Sequence, residues 1–346
     1  MPLFNKVNKA ELKTRLFQMD EKRTTLSFYK YHSISDSHRF RDDLYQLLSP
    51  MQVYGRIYVA NEGINAQISV PTSKMGKLRI ALEHYPFLKN LRFNVAIEDD
   101  GKSFYVLKIK VRDKIVADGI GEALDVSKGG KHIDASTYND MVLKSDTIVV
   151  DMRNHYESEV GHFTDAICPD VDTFRDSLPV VEKILEKNKK KHVIMYCTGG
   201  IRCEKATAYF RNRGYDNLYQ LDGGIIEYSR QVKNQKLENH FVGKNFVFDE
   251  RLGERISYDV IAKCHQCGAP CDKHVNCANE ACHLLFIQCQ ECRNTFQGCC
   301  SEKCKNFLEL PAADQLIRRK TMTFNGSKFG KGRYKAHNND DSLDLS

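Results

Sequence analysis

Residues 192–214 read HVIMYCTGGIRCEKATAYFRNRG, and their local pattern decides how the chain folds around them. His192–Tyr196 is a short, apolar, β-branched run of the kind that forms a buried strand. From Arg202 the spacing turns helical, with Ala206, Tyr209 and Phe210 on one side and Gly214 placed to stop the helix. Between strand and helix lie Cys197, Thr198, Gly199, Gly200 and Ile201. Two glycines let the backbone curl until its N–H groups point inward, and the helix N-terminus adds partial positive charge. Both effects stabilise a thiolate or a persulfide anion at Cys197 and lower its pKa. Arg202 adds a full positive charge at the far end of the loop.

Cys197 to Arg202 is a C-x4-R cradle, one residue shorter than the C-x5-R loop of cysteine phosphatases. It resembles the active loop of the rhodanese family, whose amides hold a sulfane sulfur rather than a phosphate. Tyr196 stands where a phosphatase usually has a histidine, which favours sulfur chemistry. The plain alternative, a small buried cysteine in an α/β loop, gives the glycines and Arg202 no task. Cys203, inside the helix, is read either as a resolving thiol for Cys197 or as a packing residue, with packing favoured.

With 346 residues, 28% charged and 41% hydrophobic, the composition is that of a globular protein with room for two or three cores. No apolar run approaches the about 20 residues that a membrane span needs, and the N-terminal MPLFNKVNKAELKTR lacks a signal-peptide core. The expectation is a cytoplasmic protein with no membrane partner. In that compartment thirteen cysteines point to ligands and nucleophiles rather than disulfides. A net charge of +7 suits a polyanionic partner.

Residues 1–22 read as a helical lead-in. Residues 23–117 alternate as βαββαβ, the ferredoxin-like arrangement, with strands at Thr25–Ile34, Gly55–Ala60, Ile64–Val70 and Leu91–Ile97. A further strand, Phe104–Lys114, puts Lys108, Lys110, Arg112 and Lys114 on one face, about 6–7 Å apart. That ladder is either the solvated side of a one-sided sheet or a track for a nucleic-acid backbone. Residues 118–140 are rich in glycine and polar residues and read as a linker. Residues 141–238 alternate strand and helix, which implies a mostly parallel sheet with Cys197 at a carboxyl edge.

Residues 239–310 hold two C-x2-C knuckles, Cys264/Cys267 and Cys289/Cys292, separated by 21 residues. This is good spacing for a structural zinc site of four thiolates, with an iron–sulfur cluster the less favoured alternative. Cys271, Cys277, Cys282, His283, Cys299, Cys300 and Cys304 suffice for a second site whose pairing the spacing leaves open. Residues 311–346, with Arg318, Arg319, Lys320, Lys328, Lys331, Arg333 and Lys335 among Phe324, Phe329 and Tyr334, read as a basic tail without a packed core. Such a tail is either merely solvated or binds RNA.

The whole chain resembles the bacterial rhodanese-related tRNA uridine hydroxylases. The resemblance is carried by GRIYVANEGINAQISVP from Gly55, DDGKSFYVLKIKVRDKIVADGI from Asp99, DMRNHYESEVGHF from Asp151, MYCTGGIRCEKA from Met195, GKNFVFDERLGERI from Gly243 and the cysteine-rich run from Cys264. It thins after about residue 315. It implies an enzyme that installs 5-hydroxyuridine at the wobble position of tRNA, with molecular oxygen as co-substrate and the anticodon arm as partner. By the same resemblance Cys197 and Arg202 are the active-loop residues, while Asp151 and Arg153 brace the loop. No flavin motif, haem signature or facial metal triad is evident. Residue chemistry alone would favour a sulfurtransferase acting in tRNA thiolation or sulfur relay. A zinc-dependent RNA-binding adaptor with a retired rhodanese module is the third reading, and the intact Cys197 and Arg202 argue against it.

Overall fold

The computed structural model describes residues 7–121, 124–326 and 332–335. In chain order the elements are α1 (Lys9–Gln18), β1 (Arg23–Tyr31), α2 (Ser37–Leu48), β2 (Tyr54–Ala60), β3 (Gly63–Pro71), α3 (Met75–Glu83), β4 (Asn94–Val95) and β5 (Leu107–Val111). Then come β6 (Lys131–Ile133), α4 (Ala135–Val142), β7 (Thr147–Asp151), α5 (His155–Ser158), β8 (Gly161–Phe163), α6 (Phe174–Glu186), β9 (His192–Tyr196), α7 (Ile201–Arg211), β10 (Leu218–Leu221) and α8 (Gly224–Gln235). The chain ends with β11 (Phe241–Asn245), β12 (Glu254–Arg255), β13 (His274–Asn276), β14 (Leu285–Ile287), α9 (Gln290–Thr295), α10 (Glu302–Glu309) and α11 (Ala312–Arg318). Two compact units result. One takes in Met1–His155, Phe163–His240 and Val247–Arg255, the other Tyr156–His162, Phe241–Phe246 and Ile256–Ser346.

The first unit contains two sheets. The N-terminal one runs β4-β1-β3-β2-β5, antiparallel except that β5 lies parallel to β2. Its first four strands have the order expected of a βαββαβ chain. Asp36 caps α2 by accepting the Arg39 N–H at 2.9 Å. Phe40, Leu44 and Leu48 recur at helical spacing and bury with Leu78 and Leu82 of α3 against Phe28, Ile57 and Ile68 of the sheet. The outer strands are shorter than the sequence predicts. β4 keeps two residues, and β5 ends at Val111 because its partner β2 ends at Ala60.

The second sheet, β6-β10-β9-β7, is parallel throughout. Alternation along β9 splits its side chains. Val193 and Met195 join Leu178, Val181 and Phe210 of α6 and α7 in one core. Tyr196 points the other way, edge-on to Phe163 at 4.7 Å, and Phe163 in turn meets Tyr138 of α4 and Tyr228 of α8. Helices therefore cover both faces. Residues 131–133, read from sequence as part of a linker, form the edge strand β6, and α4 begins before residue 140. Glycine-rich composition hid a strand whose backbone bonds come from β10.

The second unit is organised by sulfur. Cys277, Cys282, Cys299, Cys300 and Cys304 bury with Leu284 and Phe286. The reading of 311–346 as an unpacked tail is corrected for its described part. α11 forms, Phe324 packs against Phe307 with ring centroids 5.1 Å apart, and Tyr334 stacks on Phe286 at 6.0 Å. Burying an aromatic ring outweighs the solvation that the neighbouring cations favour. Lys328, Phe329 and Lys331 lie outside the described residues.

Candidate functional site

β9 delivers Cys197 to the carboxyl edge of the parallel sheet, and α7 leaves from Ile201. The loop between them is held from outside. The N–H groups of Ile225 and Ile226, at the start of α8, donate to the carbonyls of Cys197 and Thr198 at 3.0 and 3.2 Å. With carbonyls tied outward, amides face inward. The Gly200 N–H donates to Cys197 Sγ at 3.1 Å, and the Arg202 N–H points to the same sulfur. Gly200 has φ +101°, and a Cβ there would stand 2.8 Å from the Tyr29 hydroxyl, so only glycine fits.

Cys197 has no solvent-exposed surface (0%). Burial pushes its thiol up, but donation from Cys203, the Arg202 charge and the two amides outweigh it, bringing the pKa from an ordinary 9.0 to about 6. At neutral pH the thiolate dominates. Cys203 moves oppositely, pushed well up by burial and by the Cys197 charge, so it stays a thiol beside a thiolate. It is both packed in the core and next to the reactive sulfur. Arg202 is 8% exposed and reaches Thr198 Oγ1 at 3.5 Å.

Asp151 and Arg153 lie one step behind the loop and are fully buried. Arg153 Nε and Nη2 donate to the two carboxylate oxygens at 2.9 and 2.6 Å, and its backbone N–H donates to Oδ1 at 2.9 Å. The guanidinium sits 5.6 Å from the Tyr196 ring, next to Cys197 in sequence. The pair fixes the strand end.

Sequence reasoning missed the roof of the loop, which comes from the N-terminal sheet. Tyr29 donates to Glu204 at 3.0 Å and Tyr31 to the Ile201 carbonyl at 3.1 Å. Burial, then nearby carboxylates and Cys197 itself, raise both phenols well above 10.0. Asn94, 3% exposed, aims its amide at the Gly199 carbonyl at 3.5 Å, while its Oδ1 is buried without a partner. Around this roof run charged clasps. Arg92 makes a two-pronged bond to Asp222 at 2.6 Å, His132 lies between Asp222 and Glu204, and Lys205 of α7 is buried against Glu62 (2.7 Å) and Asp118. Bonds to Asp222 and Glu204 raise His132 from 6.5 to about 9. No local pattern announces contacts between residues so far apart in sequence.

The cation ladder is shorter than predicted. Lys108 and Lys110 are exposed on β5, but Arg112 and Lys114 lie beyond its end. Lys114 turns to Asp118 at 2.6 Å. Alternation predicts a face only while the strand lasts.

In the second unit the cysteines sort into two tetrads, Cys264/Cys267/Cys289/Cys292 and Cys277/Cys282/Cys300/Cys304, each with its sulfurs within 4.8 Å of one another. Sulfurs about 2.3 Å from a central tetrahedral ion lie about 3.8 Å apart. The close pairs here are Cys267–Cys289 at 3.6 Å, and Cys282–Cys300 and Cys300–Cys304 at 3.7 Å. Both donor sets therefore fit one metal ion each. The N–H groups of Cys289 and Cys300 point at Cys264 and Cys277 from 3.4 Å, further support for thiolates. Cys271, His283 and Cys299 belong to neither tetrad. Among the described residues no helix is long and apolar enough to cross a membrane.

Comparison with known proteins divides the chain in the same way. Residues 23–115 match the UPF0176 acylphosphatase like domain, 134–231 the Rhodanese-like domain and 242–305 the description Rhodanase C-terminal. A curated protein of Photorhabdus laumondii named tRNA uridine(34) hydroxylase is 53% identical over 346 residues, covering 99% of this chain and 98% of its own. A protein of the same name from Yersinia pestis is 54% identical over 319 residues, 92% of this chain and 90% of its own. A rhodanese-like domain solved from Anabaena overlaps 32% of this chain and 78% of that one, at 15% identity and a TM-score of 0.26.

Proposed function

Because the chain belongs to the tRNA uridine(34) hydroxylase family, we propose that it hydroxylates the wobble uridine of tRNA to 5-hydroxyuridine, with molecular oxygen as co-substrate and Cys197 as its active-site sulfur. The observation that carries this reading is identity above half along almost the whole length of the named relatives. The loop geometry supports the cysteine's part in it. Inward amides and Arg202 hold negative charge on sulfur, as thiolate or persulfide, without a metal. Asp151 and Arg153 position that loop through Tyr196. The wobble base lies in an unpaired loop, so presenting it costs less unstacking than flipping a base from a duplex. The anticodon arm is the partner, and the cytoplasm the place of action. Zinc is the metal that suits two closed all-thiolate tetrads. When bound it supplies structure rather than chemistry, because four protein ligands leave no open position.

The test is nucleoside mass spectrometry of tRNA from a deletion strain complemented with wild type or Cys197→Ser. Loss of a uridine derivative heavier by one oxygen atom in the variant is the expected result. The sulfur-holding loop alone equally suits sulfur transfer. Intact hydroxylation with missing thiolated uridine would replace the hydroxylase reading by that one. Full rescue of every modification by Cys197→Ser would leave a binding module.

A further inference from the structure

Beyond the truncated ladder the first unit opens into a cavity of about 650 Å³, lined by Tyr58, Arg112, Lys114, Asp118 and Arg175. We propose that this cleft takes a nucleotide of the single-stranded RNA segment flanking the target base, its phosphate on Arg112 and Arg175 and its base against Tyr58. The proposal rests on the tRNA reading above and deepens it by placing a contact away from the reacting sulfur.

Charge, shape and position all favour this occupant. The volume lies within the range of small-ligand sites and suits one nucleotide. Arg112 and Arg175 are exposed, and among the described residues no carboxylate pairs with either. Two guanidinia without a carboxylate partner, both lining one cavity, can fork a phosphodiester. By contrast, the buried Asp118 is neutralised by Lys205 and by Lys114, which leaves Asp113 as the exposed acid of the wall. Arg175 is also held in place. Its stem lies over Gly119, where a Cβ would come within 2.5 Å of Arg175 Cγ. Arg112 already stands 6.0 Å from the Tyr58 ring, so a base entering there meets an aromatic face and a guanidinium plane together.

The cleft also communicates with the active loop. Lys205 belongs to α7, the helix that leaves that loop, and its ammonium closes on Asp118 in the cleft wall. A nucleotide seated here would register the RNA against the helix that carries Arg202. The exposed lysines of β5, Lys108 and Lys110, face solvent outside the cavity and offer charge without a pocket.

The experiment uses the full-length, metal-loaded protein and an anticodon stem-loop RNA, with binding followed by fluorescence anisotropy through a salt series. Arg112→Ala with Arg175→Ala should weaken binding by about tenfold or more and flatten the salt slope by about 1 to 2, the signature of one or two lost phosphate contacts. Tyr58→Leu should weaken binding at every salt concentration and leave the slope unchanged. Lys replacements at 112 and 175 should restore the slope but not the full affinity, because an ammonium lacks the fork. Lys108→Ala with Lys110→Ala should have the smaller effect. Unchanged affinity and slope in the Arg112/Arg175 variant, with wild type still binding and hydroxylating tRNA, would overturn the cleft while leaving the function intact. A wild-type protein that neither binds nor modifies tRNA would overturn both.

Discussion

The active loop and the cysteine tetrads solve one problem, the negative charge of sulfur, by opposite means. At Cys197 the charge meets two inward amides and a guanidinium, and the sulfur belongs to neither tetrad. In the tetrads four sulfurs converge on a point that one metal ion would fill, and every bonding direction would then be spent inward. The first arrangement leaves a reactive sulfur and depends on a rigid surround. The second leaves an inert one and supplies the rigidity itself. The same element therefore carries a stabilised charge in one unit and builds the core of the other.

Removing the metal should have the largest effect on this contrast. Apparent binding free energies of about 10–16 kcal/mol for structural zinc exceed the stability of a small segment. Chelation, or Cys282→Ser, should therefore expose residues 274–310 to rapid hydrogen exchange while the Cys197 thiolate survives. A tetrad segment that stays protected without metal would abolish the distinction. Next comes the brace. Arg153→Met leaves the Asp151 carboxylate buried without its partner and should cost about 3–5 kcal/mol in denaturant unfolding. A loss below about 1 kcal/mol would show that the pair contributes little rigidity.

Arg202→Met tests the loop's charge balance. The Cys197 titration, read as the difference in ultraviolet thiolate absorbance between each protein and its Cys197→Ser counterpart, should move upward from about 6. Hydroxylation at neutral pH should fall with the thiolate fraction, and an unmoved midpoint would assign the anion to the amides alone. The smallest effect belongs to His132. Its folded pKa of about 9 lies above the ordinary 6.5, so its contribution is complete below about pH 6.5 and is lost as pH rises through about 9. His132→Gln should remove that slope from the stability profile. An unchanged profile would mean that the clasp holds without the imidazolium.

What the sequence disclosed was local. A strand, two glycines and a helix start announced the cradle because each works on its immediate neighbours, and the C-x2-C spacings announced one tetrad for the same reason. The second tetrad stayed ambiguous because Cys277, Cys282, Cys300 and Cys304 meet only through folding, and Cys299 is as buried as they are. The ladder failed at Arg112 because alternation carries no mark of where a neighbouring strand stops. Tyr334 looked like tail because its nearest neighbours in sequence are basic, whereas its neighbours in space are His265 and Phe286. The roof over Gly199 and Gly200 was beyond reach altogether, since Tyr29 and Asn94 are ordinary strand residues until two sheets meet.

A sulfur with no accessible area cannot touch a nucleobase in this conformation. Around the loop stand the bonds of Arg92 to Asp222, of Tyr29 to Glu204 and of Tyr31 to the backbone at Ile201. On the proposed reading, a base meets this sulfur only after the structure around it moves. The same burial keeps the resting thiolate away from solvent and from the oxidants dissolved in it.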